Sequence, residues 1–146
     1  MGVFDKGLNE YTGIGRLVLS KGSVDLKEGL LGVSGSVNGL IISTTTLYTI
    51  SAGFDWLITG ILLEFTSAVS ISGTLKGSIG TNATSYDNIV PVTTYTGFND
   101  AAKLYKLNLE GAYRKAFSGD VVTFKLTQPF TGTTADFQAY FLGMAV

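Results

Sequence analysis

The side chains of this sequence best suited to acid–base chemistry are the carboxylates that follow residue 32. Two carboxylates held on either side of a glycosidic bond are sufficient for glycoside hydrolysis. All of them except Glu64, which ends an apolar strand, stand beside glycine, asparagine or a predicted turn, where a solvated structural role is expected. We therefore expect no catalytic pair among Asp55, Glu64, Asp87, Asp100, Glu110, Asp120 and Asp136.

Other catalytic chemistry has little support. The sequence contains no histidine, the commonest general base, and no cysteine, which excludes thiolate nucleophiles and disulfides. Ser20 and Lys21 are adjacent, but adjacency in sequence does not bring two side chains together. Gly13-Ile14-Gly15 lacks the third glycine of a dinucleotide-binding loop. We therefore expect a protein without catalytic residues and without a cofactor.

One oxygen-rich run is a candidate cation site. Carboxylate, amide and backbone oxygens are the ligands that calcium prefers, but the run offers only one formal charge. Turn formation explains the same residue types, because Asn, Asp and Ser side chains bond to nearby backbone groups. We favour turn formation and expect no metal at Thr81, Asn82, Ser85, Asp87 and Asn88.

The elements that would position these groups are strands. Apolar residues alternate with polar ones in Val69–Ile79 and Val121–Gln128, which is the period of a half-buried strand. Trp56–Phe65 and Ala135–Val146 carry apolar residues in both phases, so both faces of these strands should be covered. Asn38-Gly39 lies between two apolar runs and predicts a β-hairpin.

These patterns predict an all-β fold. The sequence holds about seven to nine short strands and one candidate helical turn at Asn99–Leu104, with Asp100 as its N-cap. This pattern is typical of a sandwich or a barrel, and an antiparallel β-sandwich of the jelly-roll type is the first choice. We place this sandwich at residues 33–146.

Residues 1–32 differ from the rest of the chain. Seven glycines discourage helix formation there, and yet the segment is too apolar for a solvated tail. Two interpretations remain open: an extended arm that orders against a neighbouring subunit, or the first hairpin of the same domain. The candidate contacts of this segment with a neighbouring subunit are Phe4, Leu8, Tyr11, Ile14, Leu17 and Leu19.

Composition excludes several partners. Only 14% of residues are charged and the net charge is −1, without basic clusters, so we expect no nucleic acid binding. The longest apolar run is too short to span a membrane, and the N-terminal residues do not resemble a secretory signal. Thirty Ser and Thr residues suggest a neutral, hydroxyl-rich surface. Assembly in a cytoplasm is the expectation.

Three segments resemble virion proteins of tailed phages. They are the run Leu75–Val90, with its Gly80-Thr81-Asn82 turn and Tyr86-Asp87-Asn88-Ile89 loop, the run Phe117–Phe124, and Phe137–Gly143. Proteins of this type are similar to jelly rolls that serve as capsid decoration or cement proteins, head fibres or tail-fibre modules, and they are commonly trimeric. No functional residue transfers, because the shared residues are turn and core positions.

The resemblance implies a virion protein that is not an enzyme. We expect a capsid decoration or cement protein that binds the major capsid protein, stabilises the assembled shell and forms a homo-oligomer, with a trimer favoured. The alternative is a carbohydrate- or receptor-binding module of a head or tail fibre. In that module, aromatic side chains of the predicted loops would contact the ligand, namely Tyr86, Tyr95 and Phe98.

Overall fold

The computed structural model describes residues 15–19, 22–26 and 29–146, and these residues form strands and no helix. None of them therefore builds a helix long and apolar enough to cross a membrane. The strands, numbered in chain order, are β1 (Gly15–Leu19), β2 (Gly22–Leu26), β3 (Gly29–Val33), β4 (Val37–Asn38), β5 (Ser43–Thr49), β6 (Trp56–Val69), β7 (Lys76–Gly80), β8 (Val90–Thr94), β9 (Tyr105–Leu107), β10 (Arg114–Ala116), β11 (Val121–Gln128) and β12 (Thr134–Ala145).

The strands form three antiparallel sheets. In the six-stranded sheet, β6 and β12 pair along the centre. The free side of β6 pairs with β9 and β10, and that of β12 with β3 and β4. The four-stranded sheet has the order β5-β11-β7-β8, and β1 pairs with β2 in a two-stranded ribbon.

The predicted all-β sandwich is confirmed. Phe124 of the four-stranded sheet meets Phe137 of the six-stranded sheet edge to face, with ring centroids 5.6 Å apart and planes at 86°. Tyr95 also contacts Phe124, at 6.3 Å. Buried apolar side chains from both sheets form one core. Because this apolar area leaves water on folding, it is the main source of stability.

Two predicted strands match the structure closely. β11 spans Val121–Gln128, and its alternate residues Val122, Phe124 and Leu126 are buried. β12 is a central strand, as its two-sided apolar pattern indicated. Period-two burial is a local property of a strand in a sheet, which explains why alternation identified β11.

Two local predictions were wrong. Val69–Ile79 is not one strand: β6 ends at Val69, and the chain reverses through Ser70 (φ +52°) and Gly73 (φ +80°) before β7 begins. Asn38-Gly39 forms a turn but not a hairpin. β4 joins the six-stranded sheet and β5 the four-stranded sheet, so the turn carries the chain between the two layers. The Gly39 N–H bonds to Ala135 O at 2.7 Å.

The candidate helical turn at Asn99–Leu104 is a single turn without a helix. Asp100 Oδ1 accepts a hydrogen bond from the Ala102 N–H at 2.9 Å, and the Lys103 N–H donates to Asp100 O at 3.1 Å. Asp100 therefore caps the turn as predicted, but the chain then enters β9 at Tyr105. The boundary drawn after residue 32 falls inside β3, which is an outer strand of the six-stranded sheet.

A glycine permits a bulge in the centre of the six-stranded sheet. The pairing of β12 with β6 shifts register between Leu142 and Gly143. Gly143 has φ +152°, and a Cβ atom there would overlap the carbonyl oxygen of Leu57. Glycine is therefore required at this position.

Candidate interaction surface

One end of the sandwich carries exposed apolar side chains on ordered loops. The loop 50–55 and the turn 117–120 meet there: the Gly53 N–H donates to Ser118 Oγ at 2.9 Å, and the Ser118 N–H donates to Asp55 Oδ1 at 2.8 Å. The backbones of Asp55 and Val146 exchange two hydrogen bonds, at 2.9 and 3.1 Å. Three segments distant in sequence are thus joined at one end of the fold.

The turn that carries Phe117 is closed on both sides. Asp120 Oδ2 accepts from the Phe117 N–H at 2.8 Å, and the Asp120 N–H donates to Phe117 O at 2.9 Å. Gly119 supplies the positive φ of +87° that the turn needs. This predicted Ser118-Gly119-Asp120 turn is confirmed, and it holds the Phe117 ring in solvent.

We call this surface the apolar end. Phe54 is 54% exposed and Phe117 52% exposed. Large exposed apolar side chains that lie close together are typical of surfaces that bind a partner. Because hydrogen bonds already order the backbone beneath them, little conformational entropy is lost on binding. The exposed apolar residues of this end are Phe54, Phe117, Val121, Met144 and Val146.

The lysine of the apolar end is paired with one of its aspartates. Lys115 Nζ lies 4.0 Å from Asp55 Oδ2 and 5.2 Å from the centroid of the Phe117 ring. The first contact is an ion pair and the second a cation–π contact, both partly exposed to solvent. Lys115 is thus paired with Asp55, and the second aspartate of this surface, Asp120, accepts the Phe117 N–H, so the polar groups beside the exposed apolar residues have partners.

The oxygen-rich loop 81–88 is held by its own hydrogen bonds. Asn82 Oδ1 accepts from the N–H groups of Asp87 at 2.9 Å and Asn88 at 3.3 Å, and Asn82 Nδ2 donates to Asp87 Oδ1 at 2.8 Å. Asn88 Oδ1 accepts from the Thr81 N–H at 2.8 Å. These oxygens therefore perform the turn function that the sequence favoured over a cation site.

Four further carboxylates have structural partners. Asp100 and Asp120 cap turns, Glu110 lies 4.0 Å from Arg114, and Glu64 accepts a hydrogen bond from the Tyr140 hydroxyl at 2.9 Å. Within 15–19, 22–26 and 29–146, no three His, Cys, Asp or Glu side chains form a group that could hold a metal ion.

The aromatic residues predicted to contact a ligand are placed differently from expectation. Tyr95 and Phe98 are each 1% exposed and belong to the core, where Phe98 packs on Phe65 and Phe137. Both lie outside the strands, but the segment that carries them folds inward and closes one end of the core. They are core residues and not ligand contacts. Tyr86 is half-buried and has a φ of +51°.

Most of the predicted contacts in the first segment lie outside the described residues. These are Phe4, Leu8, Tyr11 and Ile14, and Ser20 and Lys21 lie outside them as well. Leu17 and Leu19 fall in β1, opposite Val24 and Gly22 of β2. The predictions for this segment stay predictions.

Sequence reasoning missed the apolar end. Its signal is visible in retrospect, because Phe54 and Phe117 each stand among turn-forming residues, Gly53 and Asp55 in one case and Ser118 and Gly119 in the other. An aromatic residue inside a turn is a candidate for exposure. Only the fold reveals that two such turns are hydrogen-bonded to each other.

Comparison with known proteins finds a likeness among solved structures. No family model matches the sequence, and no curated protein matches it. Among solved structures, the fold is similar to a chain in the acidic stable capsid structure of Helicobacter pylori bacteriophage KHP30. The TM-score is 0.51 at 14% sequence identity, over 82% of this chain and 93% of that one. A likeness at this identity concerns the fold.

Proposed function

We propose that this protein is a non-enzymatic structural component of a phage virion, a decoration or cement protein that binds the assembled capsid and stabilises it. The observation that carries the proposal is the likeness to a chain from a phage capsid structure. The alignment takes in 93% of that chain, so in that capsid the shared fold makes up nearly a whole polypeptide. This supports a small capsid-associated protein.

We also propose that the sandwich is a jelly roll. Taken from β4 onwards, with β9 and β10 as one broken strand, the chain supplies eight strands. β4, β6, the broken strand β9/β10 and β12 form one sheet. The other four strands form the second sheet, in the order β5-β11-β7-β8. Two packed four-strand antiparallel sheets that divide eight strands in this way are the arrangement of jelly rolls, which are common in viral capsid proteins.

The proposed mechanism is burial of apolar surface. A protein that binds the assembled lattice and not its free subunits stabilises the lattice by mass action, and repeated copies add avidity. The apolar end is the contact surface that we favour, because Phe54 and Phe117 are exposed on ordered loops. The first segment supplies the second proposed capsid or subunit contact, through Phe4, Leu8, Tyr11, Ile14, Leu17 and Leu19.

We further propose that the major capsid protein is the partner, that the protein is a homo-oligomer with a trimer favoured, and that it resides in the virion. These proposals rest on the resemblance of its turn and core segments to virion proteins. The fibre-module alternative relied on three aromatic residues, of which Tyr95 and Phe98 are buried. No observation now favours it, and it becomes an outcome of the experiment below.

The experiment measures binding of purified protein to capsids that lack it, alongside a glycan panel. We expect the natural sequence to bind capsids and to raise the temperature at which they open. Phe54→Ser/Phe117→Ser should weaken binding at least tenfold. The control is Val92→Ser, which changes an exposed apolar residue of β8, in the other sheet, and should leave affinity unchanged.

Three results would overturn parts of this proposal. Binding to glycans without binding to capsids would replace decoration by receptor recognition. Normal capsid binding by Phe54→Ser/Phe117→Ser would show that the apolar end is not part of the capsid interface. Normal capsid binding after deletion of residues 2–12 would show the same for Phe4, Leu8 and Tyr11. Substrate turnover that a single carboxylate substitution abolishes would refute a purely structural role.

A further inference from the structure

The four-stranded sheet ends in a long edge strand. Its order is β5-β11-β7-β8, so β5 and β8 form its two edges. β5 contains seven residues, whereas the outer strands β3 and β8 contain five, β9 and β10 three and β4 two. Within the described part of the chain, β5 is therefore the longest strand at the edge of either packed sheet, and it pairs with β11 only.

β5 lacks the usual protection of an edge strand. Such a strand directs backbone N–H and C=O groups away from its sheet, and proteins prevent their pairing with proline, lysine, bulges or short strands. β8 at the opposite edge has this protection, because Pro91 is its second residue and its pairing with β7 shifts register between Gly77 and Ile79. β5, by contrast, contains no proline, glycine or charged residue.

The open edge is neutral. Thr44 and Thr46 lie two residues apart, share one face of β5 and are exposed. Threonine is β-branched and suits a strand. The charged residue opposite Thr44 is Lys125 of β11, and its Nζ donates a hydrogen bond to Thr84 O at 2.7 Å. Nothing on this edge would therefore repel an identical edge.

We propose that β5 pairs antiparallel with β5 of a second copy of the chain, about a two-fold axis at Thr45. A two-fold contact requires a surface that is complementary to itself. The uncharged threonine strand meets this requirement, because the axis places Thr44 opposite Thr46 of the second copy at two equivalent positions. Cross-strand Thr–Thr pairs are favourable. The two four-stranded sheets would then continue into one sheet of eight strands.

The register follows from the regular part of β5. The pairing with β11 omits Leu47, so only Ser43–Thr46 are in continuous register. An axis at Thr45 pairs Ser43–Leu47 with the same five residues of the second copy. An axis at Thr46 would extend the pairing to Tyr48, whose ring packs on Trp56 with centroids 4.7 Å apart. An axis one residue earlier would use only three residues of the strand.

Two exposed isoleucines add apolar area to this contact. Ile41 is 57% and Ile42 66% exposed, and they directly precede β5. In the proposed register they would lie beside Thr49 and Tyr48 of the second copy. The two-fold axis repeats this contact at the other end of the paired strands, so apolar surface leaves water on both sides of the backbone hydrogen bonds.

This inference goes beyond the proposed function and does not rest on capsid binding. A two-fold contact can join two single chains or two trimers, so it is separate from the contact that would form a trimer. The occupant that it rejects is an extended segment of the capsid protein, which could also pair with an open strand edge.

The first test is disulfide formation between two single-cysteine variants, since the chain has no cysteine of its own. Opposed residues of an antiparallel pair have Cβ atoms about 4.5–5.5 Å apart. Under mild oxidation, a mixture of Thr44→Cys and Thr46→Cys should therefore form linked dimers at least ten times faster than either variant alone, in which the thiols are two positions out of register. Thr94→Cys, exposed on β8, is the control and should not accelerate linking by either variant. A mixture that links no faster than its components would overturn the proposal.

The second test measures mass by sedimentation. Thr44→Lys/Thr46→Lys places lysines opposite each other across the proposed axis and should lower the mass of the particle at least twofold. The control Val92→Lys/Thr96→Lys adds the same charge at exposed positions of β8 and just beyond it, and should leave the mass unchanged.

An unchanged mass in Thr44→Lys/Thr46→Lys would overturn the proposal, and weaker capsid binding by that variant at unchanged mass would assign the edge to a capsid segment instead. Because the linking and mass measurements use protein without capsids, their failure leaves the proposed function untouched.

Discussion

The ring of Phe98 stacks on the ring of Phe65, with centroids 4.1 Å apart and planes 11° from parallel. Phe98 also meets Phe137 edge to face at 5.4 Å. We expect Phe98→Ala to lower the free energy of unfolding by about 3–5 kcal/mol, because it leaves a cavity in the core. Chemical denaturation measures this change. Phe54→Ala, at the exposed end, is the control and should cost less than about 0.5 kcal/mol; equal losses would contradict the placement of Phe98.

The buried hydroxyl of Tyr95 should lower the stability of the fold. Within the described residues, this buried hydroxyl has no hydrogen-bond partner, and burial raises the pKa of Tyr95, with Tyr105 adding to the rise. An unsatisfied buried polar group costs about 1–3 kcal/mol. We therefore expect Tyr95→Phe to raise the midpoint of thermal unfolding. A lower midpoint would indicate a partner for this hydroxyl.

Tyr140 should make stability depend on alkaline pH. Burial, followed by the hydrogen bond to Glu64 and its charge, raises the pKa of Tyr140 from 10.0 to about 12. A pKa raised on folding contributes stability that is complete below the unfolded value and is lost as pH rises through the folded value. The stability advantage of the natural sequence over Tyr140→Phe should therefore shrink between pH 10 and 12. Urea titrations at pH 8, 10 and 12 measure it, and a constant advantage would contradict the assignment.

Gly143 should not tolerate a side chain. We expect Gly143→Ala to cost at least about 2 kcal/mol, because the new Cβ overlaps the Leu57 carbonyl and the φ of +152° disfavours alanine. Gly60→Ala in the paired strand β6 is a matched control, since its Cβ would meet Leu142 Cδ1 at an ordinary 3.6 Å. Similar unfolding midpoints for the two variants would be inconsistent with the bulge.

Asn82 should account for much of the order in the loop 81–88. Asn82→Ala removes two acceptor contacts and the donor to Asp87, and we expect a loss of about 1–2 kcal/mol. Faster amide hydrogen exchange at Asp87 and Asn88 would be the local signature. Ala83→Ser, at the exposed neighbouring position, should change neither quantity; added calcium should not restore the Asn82→Ala loop.

The sequence predicted the strands better than the connections between them. Val122, Phe124 and Leu126 alternate because each strand residue meets its own face of a sheet, and this information is local. The chain reverses at Ser70 and Gly73, but the alternation of apolar and polar residues continues through this reversal. The sequence pattern therefore predicted one strand where the structure has a break between β6 and β7. Which sheet a strand joins depends on distant partners, and the Asn38-Gly39 turn was misassigned for that reason.

The candidate site was predicted less well, because exposure is not local. Tyr95 and Phe98 have the loop neighbours that usually accompany exposed aromatic residues, and yet their segment folds over the core. Phe54 and Phe117 are near the same kinds of neighbours and point into solvent. What sets Phe54 and Phe117 apart is the set of hydrogen bonds between Gly53, Asp55 and Ser118, which joins the two turns that carry them.

The central place of β12 also affects how the chain folds. β12 follows in sequence every strand with which it pairs, and Tyr140 lies opposite both Leu62 and Val33. The six-stranded sheet cannot close during synthesis until β12 has left the ribosome, so β3, β4 and the side of β6 that pairs with β12 lack a partner until then. Pairing across such sequence separations is slow, on the order of milliseconds to seconds. Nascent chains that lack this strand should therefore depend on chaperones to avoid aggregation.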